Sequence, residues 1–125
     1  MNKTRMLLGV VAVAIVSMTG FRLLRADAPL HKGYVIAEIT VLDAEAYKAY
    51  AAATGPLVTK FGGTYLVRGG QTEAVEGDKP NGRVVVIEFA SLAAARVFED
   101  SPEYRAVAPL RQKSASSRIF LVEGQ

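Results

Sequence analysis

The sequence predicts an α+β fold, a four-stranded antiparallel sheet with its helices on one face, and three observations predict it. Runs of strand-forming residues with period-two alternation start near residues 34, 64, 83 and 119. Stretches with helical spacing, opened by the N-cap residues Asp43 and Ser91, separate the first run from the second and the third from the fourth. A dense turn signal, Gly77-Asp78-Lys79-Pro80-Asn81-Gly82, joins the second run to the third. The order is strand, helix, strand, strand, helix with a short appended helix, strand. That is the split βαβ arrangement of a ferredoxin-like sandwich.

Each element has a local reason. Tyr34 to Val41 is the first strand, with Val35, Ala37, Ile39 and Val41 on one apolar face and Tyr34, Ile36, Glu38 and Thr40 on a mixed one. Asp43 caps the first helix, Glu45 suits its dipole, and Tyr47, Tyr50, Leu57, Val58 and Phe61 line one side. Gly55-Pro56 predicts a kink, or a restart capped by Thr54, because proline has no N–H to give. Gly62-Gly63 stops the helix. Thr64 to Arg68 forms the second strand, and Gly69-Gly70 reads as a bulge beyond which the strand continues to about Val75. Arg83 to Phe89 is a third strand, apolar on both faces. Leu92, Ala95 and Phe98 mark the inner side of the second helix. Ser101-Pro102 starts a short further helix with Val107 and Leu110 buried, Ser114 to Ser117 is a polar connector, and Ile119 to Val122 is the last strand.

The first 28 residues stand apart from this domain, which spans 29–125. Lys3 and Arg5 precede an uncharged, mostly apolar run from Met6 to Phe21, and Arg22, Arg25 and Ala26-Asp27-Ala28 follow. Basic, apolar, then small-x-small is the order of a signal peptide. Pro29 after the cut and Arg22 before it leave a retained membrane anchor as the alternative, although a span needs about 20 apolar residues. Both readings place the domain outside the cytoplasm, periplasmic or secreted, with membrane contact only if the leader stays. The leader holds four basic side chains and one acidic; the chain's totals are 15 and 12, so the rest carries 11 of each and no net charge. This balance argues against nucleic acid as a partner. With no cysteine, disulfides, thiol catalysis and sulfur-based metal sites are excluded.

A sheet apolar on both faces needs two covers, and the helices supply one. Tyr34, Ile36, Val84 and Val86 lie on the other face with members of Tyr65/Val67 and of the last strand. Soluble monomers rarely expose such a patch, so a homodimer packed sheet to sheet is expected.

Several motifs in order, Gly62-Gly63-x-Tyr65-Leu66-x-Arg68-Gly69-Gly70, Glu76-Gly77, Val86-Ile87-Glu88-Phe89, Ser101-Pro102-Glu103-Tyr104 and Arg111, resemble the bacterial family known as domain of unknown function 1330. The resemblance runs from Gly33 to Gly124. It implies membership of the dimeric α+β barrel superfamily, alongside small monooxygenases, chlorite dismutases and muconolactone isomerases, and hence the same dimer. The leader is a departure, since many members lack one.

Candidate ligand-binding residues follow from their chemistry. Arg68, a guanidinium within a strand, meets either a carboxylate ligand, a structural partner such as Glu88 or Glu38, or simply solvent. Glu38 and Glu88 fall on the mixed faces of the two central strands, where they are expected near each other, one a possible general base. Tyr104 and Arg111 share a helix face, as do Tyr47 and Tyr50; each pair reads either as core or as pocket lining. No catalytic residue is assigned. His31, the only histidine, precedes the first strand, and no His/Asp/Glu cluster has ligand spacing, so no metal and no cofactor are expected. The reading is a small-molecule-binding module, with a cofactor-independent monooxygenase- or isomerase-like enzyme on a small aromatic or keto substrate as the alternative.

Overall fold

Alternation in the two central strands sets the frame. The computed structural model describes residues 31–125, so the leader lies outside the described residues. Strand β1 (Gly33–Val41) buries Val35, Ala37 and Ile39 toward the helices, and β3 (Arg83–Phe89) buries Val85, Ile87 and Phe89 on the same side. With β2 (Thr64–Arg68) and β4 (Ala115–Glu123) they form one antiparallel sheet in the order β2-β3-β1-β4. Helices α1 (Ala44–Lys60), α2 (Leu92–Asp100) and α3 (Pro102–Ser114) cover one face. This is the ferredoxin-like α+β sandwich that the element order predicts.

The expected caps are present. Asp43 accepts from the Ala46 N–H, Ser91 from Ala94, and Ser101 from Tyr104, with Pro102 in the first turn of α3. Helix α1 ends in a Schellman turn. The Gly63 N–H reaches back to the Val58 carbonyl (2.8 Å) and Gly62, at φ +79°, to Thr59 (3.0 Å).

Four expectations need correcting. Gly55-Pro56 does not break α1: Tyr47, Tyr50, Thr54 and Val58 are all buried at spacings of three and four, so packing holds both halves on the sheet. Thr54 is accordingly a buried helical residue and no cap. The β2 bulge lies between Tyr65 and Val67, and the strand ends at Arg68 because Gly69 turns at φ +72°. The polar connector does not exist, since α3 runs through Ser114 directly into β4. The buried Ser114 carbonyl accepts the Leu42 and Asp43 N–H groups (2.8 and 3.0 Å), locking that junction to the turn between β1 and α1. Finally, α3 buries Tyr104, Ala108, Arg111 and Ser114, while Leu110 is exposed and Val107 half-buried.

The sheet's other face carries Tyr34 and Ile36 from β1, Val84 and Val86 from β3, Val67 from β2, and Phe120 and Val122 from β4. Phe120 and Val122 remain 45% and 43% exposed.

The Schellman turn gives a stability test. A Cβ on Gly63 would stand 2.8 Å from both Phe89 Cζ and Val58 Cγ1, two of the most deeply buried side chains. Gly63→Ala is expected to cost about 1–3 kcal/mol through overpacking. Gly70→Ala, where a Cβ meets nothing within 4 Å, should stay within about 0.5 kcal/mol of the parent. Urea midpoints at equal m-value check both.

Candidate functional site

A one-residue slip in β2 builds one side of the site. Tyr65 pairs with Ile87 and Arg68 with Val85, so the bulge between them puts both on the helical side of the sheet. Strict alternation would have set them on opposite faces. The Arg68 guanidinium lies 4.2 Å from the centre of the Tyr65 ring. Arg83, paired with Ile39 on β1, points to the same side as Val85, its guanidinium 5.6 Å from the Tyr47 ring. Gly69 makes room for it: a Cβ there would stand 2.6 Å from the Arg83 Nη2 atom. Among the described residues neither Arg68 nor Arg83 forms an ion pair.

Helices α1 and α3 build the inner side. The Tyr50 and Tyr104 hydroxyls share a hydrogen bond of 2.8 Å that either can donate. Burial pushes both phenols above their ordinary range near 10; Tyr104 raises Tyr50 further, while Tyr104 is raised further by Glu99 and held back by its hydrogen bond with Tyr50. Arg111 is 9% exposed, its guanidinium 5.7 Å from the Tyr50 ring, and it donates to Ser117 Oγ on β4. Burial disfavours its charge, but the two tyrosine oxygens outweigh that and the net direction is upward, so it stays protonated. Its Nε has no partner among the described residues. Thr54 Oγ1 stands beside the Tyr50 hydroxyl without reaching hydrogen-bond geometry, buried and unpartnered. Glu99, on α2, is half-buried, and desolvation raises its carboxyl above the usual range against the pull of Arg111 and Arg96.

Between these sides lies a cavity of about 40 Å³, floored by Val35, Ala37, Ile39, Val85 and Ile87. That is room for roughly three waters. Arg68, Tyr47, Tyr50 and Tyr104, all singled out in the sequence, line it. Arg111 stands behind the tyrosine pair and opens instead on a groove with Arg96, Glu99 and Asp100 beside β4. Sequence reasoning missed Tyr65, Arg83, Thr54 and Glu99 as lining residues.

Glu38 and Glu88 are not in the site. Both sit on the opposite face of the sheet, and they are not neighbours. Glu88 lies across from Tyr34, four positions along β1 from Glu38, or about 13 Å at ~3.3 Å per residue. Each has its own partners, and neither pairs with Arg68. Glu38 pairs with Arg118 (2.7 Å); Glu88 accepts from the Tyr34 hydroxyl (3.3 Å), with Lys32 at 4.0 Å. His31 is exposed, and among the described residues no three His, Cys, Asp or Glu side chains gather as metal ligands.

A family model described as "Domain of unknown function (DUF1330)" matches residues 32–125. Among solved structures the chain is similar to RPA0582, a protein of unknown function from Rhodopseudomonas palustris. Identity is 24% and the TM-score 0.62, covering 81% of this chain and 88% of that one. Methylated RPA0582 gives 23% and 0.62 over 81% and 86%. SnoaB, a cofactor-independent oxygenase from Streptomyces nogalater, gives 18% and 0.57 over 76% and 94%. No curated protein matches. At these identities the likenesses establish the fold.

The tyrosines give a pH test. Tyr47, Tyr50, Tyr65 and Tyr104 all have pKa values raised by burial. Below pH 10 both folded and unfolded chains keep these protons. Above it the unfolded chain releases them first, so stability falls as pH rises from about 10. Phenolate absorbance at pH 10, where free tyrosine is half ionised, should stay low in the folded protein and appear together with loss of the circular dichroism of the fold.

Proposed function

We propose that this chain, which belongs to the family described as domain of unknown function (DUF1330), binds a small organic molecule in the cavity between its sheet and its helices. The observation that carries this reading is the unsatisfied Thr54 hydroxyl. It is 4% exposed and lines a cavity with an aliphatic floor whose lining also includes four tyrosines, Arg68, Arg83 and Glu99. The cavity is closed down to the size of a few waters, so a ligand enters by displacing the Tyr65–Arg68 stack. That stack belongs to a strand at the sheet edge, and Arg68 is exposed.

The working form in this proposal is a homodimer. The uncovered apolar face spans all four strands, and a second copy covers it in a closed two-fold arrangement. Its charges already have partners within the chain, which lowers the cost of taking them out of water. The leader's composition supports export of this dimer, either released or anchored.

A second reading, a cofactor-independent enzyme on a small aromatic or keto substrate, is favoured by Glu99. A carboxyl whose pKa is raised by burial, on the lining and near Tyr104 and Arg111, suits proton abstraction from a bound substrate. The fold shared with a cofactor-independent oxygenase is compatible with such chemistry and transfers no mechanism.

Native mass spectrometry of the full chain for a co-purifying ligand, with thermal shifts against small aromatic acids, lactones and keto compounds, tests the binding reading. A ligand at a hundredfold excess over its Kd should raise Tm by at least about 10 °C. Turnover that disappears in Glu99→Gln while the thermal shift survives would select the enzyme. A panel without any shift, and no bound mass, would remove the binding reading. For the assembly, light scattering at micromolar concentration should give twice the 13.4 kDa chain mass, and Phe120→Glu should halve it with the fold retained. A wild-type chain of single mass would remove the dimer.

A further inference from the structure

The charge pattern at the cavity mouth narrows the ligand class, and the inference rests on the binding reading above. Arg68 and Arg83 stand on neighbouring strands, diagonal to each other across the β2–β3 ladder, where side chains are about 7–8 Å apart. Each lies against a tyrosine ring, Arg68 against Tyr65 and Arg83 against Tyr47. These contacts set where the guanidinium groups rest before a ligand enters but do not neutralise them. Elsewhere on the described surface Arg105 has Asp100 and Arg118 has Glu38, while Arg96 on α2 forms no ion pair. The nearby loop carries Glu73, Glu76 and Asp78, yet none of them pairs with either mouth arginine. Two like charges side by side repel, and an anion between them removes that repulsion. The planar fork of a guanidinium matches the planar pair of carboxylate oxygens.

Behind the mouth the surroundings change. The floor is aliphatic, four tyrosine rings join the lining, and the buried Thr54 hydroxyl faces it without a partner. We infer that the site selects a small, flat organic acid. Its carboxylate lies between Arg68 and Arg83, its apolar body against Tyr47 and Tyr65, and a second polar group reaches Thr54. Beyond the leader the chain has no net charge, so the preference for an anion comes from these two side chains and not from the field of the whole protein.

A matched pair of probes tests this: 4-hydroxybenzoate and 4-hydroxybenzamide, equal in shape and different in charge, titrated calorimetrically into the full chain at low salt. The acid is expected to bind about tenfold or more tightly than the amide. Arg68→Gln and Arg83→Gln should each erase that ratio by weakening the acid far more than the amide. Arg105→Gln, on the exposed side of α3, should leave the ratio intact. Thr54→Val should weaken both probes about equally. An amide that binds as well as the acid would overturn the inference and leave the binding reading standing. So would a ratio that survives both arginine substitutions, or inorganic phosphate competing as well as the acid. If neither probe binds, and the broader panel also fails, the binding reading falls together with the inference.

Discussion

A chain of rings holds the helical side of the sheet together. Tyr47 and Tyr50 sit 5.5 Å apart on α1, Tyr50 meets Tyr104 of α3 at 6.4 Å, and Tyr104 meets Phe98 of α2 at 4.7 Å. Phe98 then stacks on Phe89 of β3 at 5.3 Å and meets Phe61, the C-cap of α1, edge-on at 6.0 Å. Every helix and one central strand are thus linked through aromatic contacts worth about 0.5–1.5 kcal/mol each beyond burial. The chain has a chemical gradient. Its Phe89–Phe98–Phe61 end is purely apolar and makes the core. Its tyrosine end carries hydroxyls that must be satisfied, and the cavity lies there. Core and site are two ends of one packing arrangement, so a substitution at Tyr104 acts on both.

Much of this was legible in the sequence. The strands follow from period-two alternation, and the caps Asp43, Ser91 and Ser101 and the Gly62-Gly63 stop follow from local backbone chemistry that needs no tertiary information. Reading failed where tertiary packing overrides a local rule or where position along a strand matters. Pro56 should break a helix, but burial of Thr54 and Val58 on either side holds α1 continuous. Glu38 and Glu88 are on one face, as alternation requires, yet register rather than alternation sets their separation. The bulge at Tyr65–Val67 is invisible to a period-two count, and it alone decides that Arg68 faces the helices.

Two of the missed lining residues had signals. Arg83 shares its parity with Val85 and Ile87, so the apolar face of β3 already implied a guanidinium on the helical side at its start. Glu99 follows Ala95 by four, on the same stripe as Leu92 and Phe98. In each case a charged residue at an apolar position of a regular pattern was passed over because charge suggests solvent. Thr54 was read through its neighbours Gly55-Pro56 as a cap, which hid that it falls on the Tyr47–Tyr50–Val58 face.

The two faces of the sheet treat charge differently, and that difference bears on function more than any single residue. On the face without helices, Glu38 meets Arg118, and Glu88 meets Tyr34 and Lys32; its charges have partners inside the chain. On the helical face, Arg68, Arg83 and Arg111 have aromatic rings and hydroxyls beside them and no carboxylate in ion-pair contact among the described residues. Stability alone does not account for such an arrangement. For the buried Arg111 an unpaired guanidinium is costly, and a glutamine or methionine stem would pack as well. A surface destined to be covered by protein benefits from having its charges matched beforehand, whereas a surface meant to receive an anion has to leave its own unmatched. In the proposed reading the same sheet offers one face to a partner and the other to a ligand, and the slip in β2 that sets Arg68 on the helical side separates the two roles.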